Sequence, residues 1–151
     1  MKGEKVALGD TLEVFLKRAG EPEFTLHSTE DDLITTAGKT SAARLIGAIG
    51  SEAGYTYLAI GEGTLTASVG DTTLGTEITS EGGERAAATV SNSANILYVE
   101  NTYNFTSSFA VTESGCFNDA SVGTMLCRQV FGAINVQSGD SLLMRWKITV
   151  S

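Results

Sequence analysis

Proline is almost missing from this chain: Pro22 stands alone against 17 glycines. That scarcity excludes a proline-rich linker or polyproline recognition segment. Histidine occurs once, at His27, and cysteine twice, at Cys116 and Cys127. A structural zinc site takes about four ligands, which these three cannot supply. Basic residues are few, 10 against 18 acidic ones, for a net charge of −8. Lys2, Lys5, Lys17, Arg18, Lys39, Arg44, Arg85, Arg128, Arg145 and Lys147 are scattered rather than clustered. Such a chain repels phosphate backbones and anionic lipid, so neither nucleic acid nor membrane is an expected partner. Long apolar runs are also lacking. The opening MKGEKVALGDTLEVF has no signal-peptide core, and nothing approaches the roughly 18 apolar residues of a membrane span. Synthesis in the cytoplasm without an export signal is the expectation.

What is present points to strands. Hydrophobic residues make up 42% of the 151 positions, enough for one self-sufficient core. Threonine and serine are abundant beside the glycines, a mixture that favours strands joined by tight turns. Residues 1–54 mix helix and loop signals, while residues 55–151 read as strands and turns within one compact domain.

In the first part, Asp10-Thr11 is placed to cap a short helix over Leu12 to Arg18. Glu13 lies near its start, Lys17-Arg18 near its end, and Gly20 and Pro22 beyond it. A second helix is expected from about Ser41 to Ile49, with Leu45, Ile46 and Ile49 on one face. Further on, Tyr57–Ile60, Arg85–Ser91, Met125–Phe131 and Leu142–Val150 read as strands, and Ile96–Phe109 as one bent strand or two. Turn signals fall at Gly70-Asp71-Thr72, Gly82-Gly83 and Ser138-Gly139-Asp140. The last strand alternates cleanly: Leu142, Met144, Trp146, Ile148 and Val150 share one face, which places Trp146 in the core. The expected fold is mainly β: an antiparallel β-sandwich of about six or seven strands with one or two short N-terminal helices.

No catalytic constellation assembles from these residues, so a non-enzymatic protein without cofactor or metal is expected. Gly61-Glu62-Gly63 lacks the third glycine of a dinucleotide fingerprint, since Thr66 stands there. Glu30-Asp31-Asp32 lacks the spacing of a calcium loop and reads as a helix start. His27 lies in a polar stretch with no nucleophile motif. Asn104-Phe105-Thr106 matches a glycosylation sequon, which carries no weight without a signal peptide. Cys116 and Cys127, eleven apart, read as buried free thiols rather than a hairpin disulfide. Two charged features read as structural. Glu77 and Arg85 flank the Gly82-Gly83 turn and can pair across it, and Glu113 is placed to accept backbone or arginine hydrogen bonds.

The order of motifs in the second part resembles a family. Ile60-Gly61-Glu62-Gly63-Thr64 is followed by Asp71-Thr72-Thr73-Leu74-Gly75-Thr76-Glu77 and then Arg85. Glu113-Ser114-Gly115-Cys116-Phe117 and Gly123 to Phe131 come next, and Ser138-Gly139-Asp140-Ser141-Leu142 and Trp146 to Val150 close the chain. Over about residues 33–151 this is similar to small structural proteins of tailed bacteriophages, the tail-fibre-like, minor tail and capsid-decoration β-sandwich modules. The resemblance implies a virion protein made in the host cytoplasm, leading as a tail or tail-associated subunit, with a capsid decoration or cement protein as the alternative. It also implies small or aliphatic residues at the two cysteine positions, and assembly as a homo-oligomer among other virion proteins, a trimer favoured. Residues 1–54 would then be an N-terminal helix/loop docking segment ahead of the sandwich at 55–151, with residues 1–32, outside the resemblance, as the part that reaches its neighbours. A receptor- or carbohydrate-binding module, with Tyr55 or Tyr57 as aromatic platform, is the reading from another class.

Overall fold

A computed structural model describes residues 5–31 and 33–151. Among these residues the chain forms nine strands and one helix. The strands are β1 (Leu8–Lys17), β2 (Thr25–Asp31), β3 (Tyr57–Gly61), β4 (Ala86–Ala87), β5 (Thr89–Ser93), β6 (Ile96–Asn104), β7 (Phe109–Phe117), β8 (Met125–Val136) and β9 (Ser141–Val150), and the helix is α1 (Thr36–Ile46). One sheet has the order β2-β1-β9-β6-β5 and the other β4-β3-β7-β8. Every pairing is antiparallel. The expected mainly β, antiparallel sandwich is the observed architecture, and the chain passes between its sheets four times, most abruptly at the corner joining β4 to β5.

The five-stranded sheet follows the period-two rule. Leu142, Met144, Trp146 and Ile148 of β9 are buried together with Leu12 and Val14 of β1 and Val99 and Tyr103 of β6. Val150, expected on the same face, is half-exposed at the strand end. The opposite face carries the charges: Glu13 meets Lys147 at 3.0 Å and Glu100 meets Arg145 at 2.8 Å. These are solvated pairs worth little in stability.

In the four-stranded sheet the central strands β3 and β7 are buried on both faces, so β7 shows no alternation from Val111 to Phe117. Its inner face meets the main core. Its outer face lies under residues 62–85, a connection of irregular backbone. Leu74 packs there with Ala59, Phe117 and Met125 as a second small cluster.

Two expectations about the first part need correcting. Residues Leu12 to Arg18 are not a helix; Leu12 to Lys17 belong to β1, which pairs with β9 along its whole length. Alternate burial of Asp10, Leu12, Val14 and Leu16 outweighs the local capping signals, because a helix that short is marginal alone. Residues Leu8 to Lys17 therefore sit inside the sheet, between β2 and β9. Similarly Glu30 and Asp31 end β2 rather than starting a helix, while Asp32 lies outside the described residues.

Helix α1 starts five residues before the expected Ser41. Thr35 is its N-cap: its hydroxyl accepts from the Gly38 amide at 2.9 Å and donates to the Met125 carbonyl at 2.6 Å. The buried residues are Gly38 and Ser41, while Ile46 and Ile49 face solvent. The small face wins because the helix lies close on β8. A Cβ on Gly38 would stand 2.6 Å from the Leu126 carbonyl oxygen.

Candidate functional site

The densest polar constellation is centred on Glu113. This residue lies on the outer face of β7 and is fully buried beneath residues 62–85. One carboxylate oxygen accepts from the amides of Gly63 at 2.9 Å and Thr76 at 2.8 Å. The other accepts from the Gly75 amide at 2.9 Å and from Arg128 at 3.0 and 2.8 Å. Arg128, itself buried, reaches on to Asp71 at 2.7 Å and to the Leu65 carbonyl at 3.1 Å. Burial alone would raise the proton affinity of Glu113. The Thr76 and Gly75 amides, Arg128 and the Gly63 amide outweigh burial and hold the carboxyl below its usual range.

The glycine spacing of Ile60-Gly61-Glu62-Gly63 follows from this carboxylate. A Cβ at Gly61 or Gly63 would stand 2.4 or 2.5 Å from a Glu113 oxygen. The glycine-rich segment does cradle an anion through its amides. That anion is supplied by the chain itself, fifty residues away from Gly63. With both oxygens occupied, Glu113 offers no lone pair to a substrate proton; its geometry fastens the overlying segment to the sheet.

The other sequence-predicted residues hold the same segment or the core. Arg85 makes a two-pronged contact with Glu77, at 3.1 and 2.7 Å, and donates to the Asp119 and Val122 carbonyls at 3.1 and 2.9 Å. Its guanidinium lies 3.7 Å from the Phe117 ring centroid, a stacking contact that lysine could not reproduce. Trp146 is fully buried between the sheets. Its indole donates to the Ser114 hydroxyl at 3.1 Å, which donates in turn to the Ala59 carbonyl at 3.0 Å. Glu113 and Trp146 thus approach β7 from opposite faces.

Sequence reasoning missed Arg128 and the amide of Gly75 as partners of Glu113, and Asp71 as the second partner of Arg128. The available signal was an arginine inside the apolar run Met125 to Phe131. It also missed Asp10, which is buried and accepts from the Leu33 amide and, at 3.0 Å, from Gln129.

Cys116 and Cys127 are free, buried and directly opposite each other across β7 and β8. Burial, with the neighbouring Cys116, pushes the Cys127 thiol well above its ordinary range. His27 is exposed on β2. Tyr55 is buried, with burial raising its hydroxyl to about 12, and Tyr57 packs on the small outer cluster. Tyr55 is thus enclosed, while Tyr57 is half-buried. Among the described residues no group of three or more His, Cys, Asp or Glu is placed to hold a metal ion. No helix among them is long and apolar enough to cross a membrane. An apolar groove of about 470 Å3 lies between α1 and the paired chain ends, lined by Val6, Leu8, Ala42, Ala43, Ile46 and Val150. Compared with protein-family models, curated proteins and solved structures, the chain has no match.

Proposed function

We propose that this chain is a non-enzymatic structural subunit of a tailed-phage virion, built into the tail or a tail-associated appendage as a homo-oligomer beside other virion proteins. One observation supports it most. Residues 62–85 form the long connection on which a sandwich would ordinarily carry a mobile binding or catalytic loop, and here Glu113, Arg128 and Arg85 tie that connection down. A fastened loop suits a rigid building block better than a site that must open and close. The ordered motifs from Ile60 to Val150 supply the viral part of the reading, and their glycine and acidic positions coincide with this clamp.

Quantitative mass spectrometry of purified particles tests the proposal. A few to a few dozen copies per particle fits the tail reading, and hundreds would transfer the protein to the capsid surface as a decoration or cement subunit. Its absence from purified particles would refute a virion role. Hydrolysis of a cell-wall or capsule polymer by the purified protein would refute the non-enzymatic part.

A further inference from the structure

We infer that two copies of this chain join through β5, edge to edge and antiparallel, to form one continuous sheet across a two-fold axis at Ser91. A strand at a sheet edge leaves a row of amides and carbonyls unpaired, and proteins protect such edges with charge, bulges, shortness or cover. Among the described residues three of the four edges are protected. β2 carries exposed His27 and Asp31 and half-buried Glu30, and its pairing with β1 is interrupted by a register shift at Val14/Phe15. β4 is two residues long. β8 is covered at its start by α1 and by the Thr35 amide bonded to the Leu126 carbonyl, and further along Arg18 donates to the Asn135 carbonyl. β5, Thr-Val-Ser-Asn-Ser, has none of these devices. It is uncharged, free of proline, regularly paired with β6 on its other side, and exposed at every residue.

The pairing pattern sets the register. The two-residue turn Ala94-Asn95 closes on Ser93 opposite Ile96, which makes that pair hydrogen-bonded. Alternation then gives Ser91 and Thr89 the bonds to β6, and leaves the amides and carbonyls of Val90 and Asn92 pointing outward. Centring two antiparallel copies on Ser91 sets Val90 of each against Asn92 of the other, so all four outward groups of each strand find a partner. Val90 is on the core-facing side of the sheet yet 40% exposed, because the second sheet does not extend over it; the partner strand would shield it. Glu100, the nearest charge on β6, is already paired with Arg145 at 2.8 Å, so the seam brings no uncompensated like charges together.

A second copy is the occupant because each chain offers one open edge among the described residues. A single patch meeting itself is isologous and closes after two subunits, whereas a three-fold ring needs two different complementary surfaces. This deepens the homo-oligomer part of the proposed function but does not depend on its viral part, since it is tested on the purified protein alone.

Light scattering on the full chain across micromolar to submillimolar concentrations should find twice the 15.8 kDa chain mass. Val90→Pro removes only an outward donor, and Ser91→Lys sets two like charges face to face. Each should return the monomer with an unchanged circular dichroism spectrum. Ser91→Cys should form a reducible dimer on mild oxidation, because opposed residues of a non-hydrogen-bonded pair lie about 4.5 Å apart at Cα, within disulfide reach. Thr89→Cys, opposite Ser93 of the partner, should not. A monomer throughout, a trimer, a dimer indifferent to Val90→Pro and Ser91→Lys, or cross-linking by Thr89→Cys in place of Ser91→Cys would overturn the inference.

Discussion

Replacing Glu113 by glutamine keeps the side-chain shape and removes the charge around which residues 62–85 are organised. The carboxylate accepts from the Gly63, Gly75 and Thr76 amides and from Arg128. A glutamine has one acceptor oxygen, and its nitrogen would confront donors with donors. Removing one partner of a buried ion pair costs about 3–5 kcal/mol. Arg128 keeps Asp71 at 2.7 Å, so the lower end applies, about 3 kcal/mol. At roughly 2–4 °C per kcal/mol for a chain of this size, the melting temperature should fall by about 6–12 °C. Urea unfolding followed by the fluorescence of Trp146, the sole tryptophan and fully buried, measures the loss directly. The carboxyl is held below its ordinary value of 4.5. Its stabilisation is therefore fully present above that pH and lost as the pH falls through the lower folded-state value. Wild type and Glu113→Gln should differ most at neutral pH and converge in acid. A difference within about 1 kcal/mol at neutral pH, the size of an ordinary substitution, would refute the reasoning. So would a difference that persists unchanged in acid.

Gly63→Ala places a methyl 2.5 Å from a Glu113 oxygen. It should cost about 1–3 kcal/mol, and limited proteolysis should begin to cut within residues 62–85, where the wild type should resist. Ala94 adopts a positive φ of 50° at the first central position of the β5–β6 turn, where glycine is preferred. Ala94→Gly should therefore stabilise by about 0.5–1 kcal/mol in urea titrations, and a loss would show that the turn is not strained. Cys116 and Cys127 are fully buried, so a thiol reagent such as DTNB should react with neither in the native protein and with both in denaturant. Rapid native labelling would contradict their burial.

Much of the second part was legible because its local pattern and its tertiary environment agree. Alternation in Leu142–Ile148 survives because one face of β9 meets the core and the other meets solvent. The Glu77–Arg85 pair was readable because its partners lie eight residues apart around a turn. In Leu12 to Lys17 the same residues carried both helix caps and a period-two burial pattern. Pairing with β9, some 130 residues away in the chain, decided for the strand. Ile46 and Ile49 looked like the inner face of a helix, yet Gly38 and Ser41 hold that position because only small residues allow α1 so close to β8. The glycines at 61, 63 and 75 and the acid at 113 were each visible as isolated features. Their meaning depends on one spatial fact, a buried carboxylate that stands where three chain-distant amides and Arg128 converge. A linear sequence records which residues the arrangement requires; the three-dimensional approach of β7, β8 and the connection over them decides that the charge is matched from within.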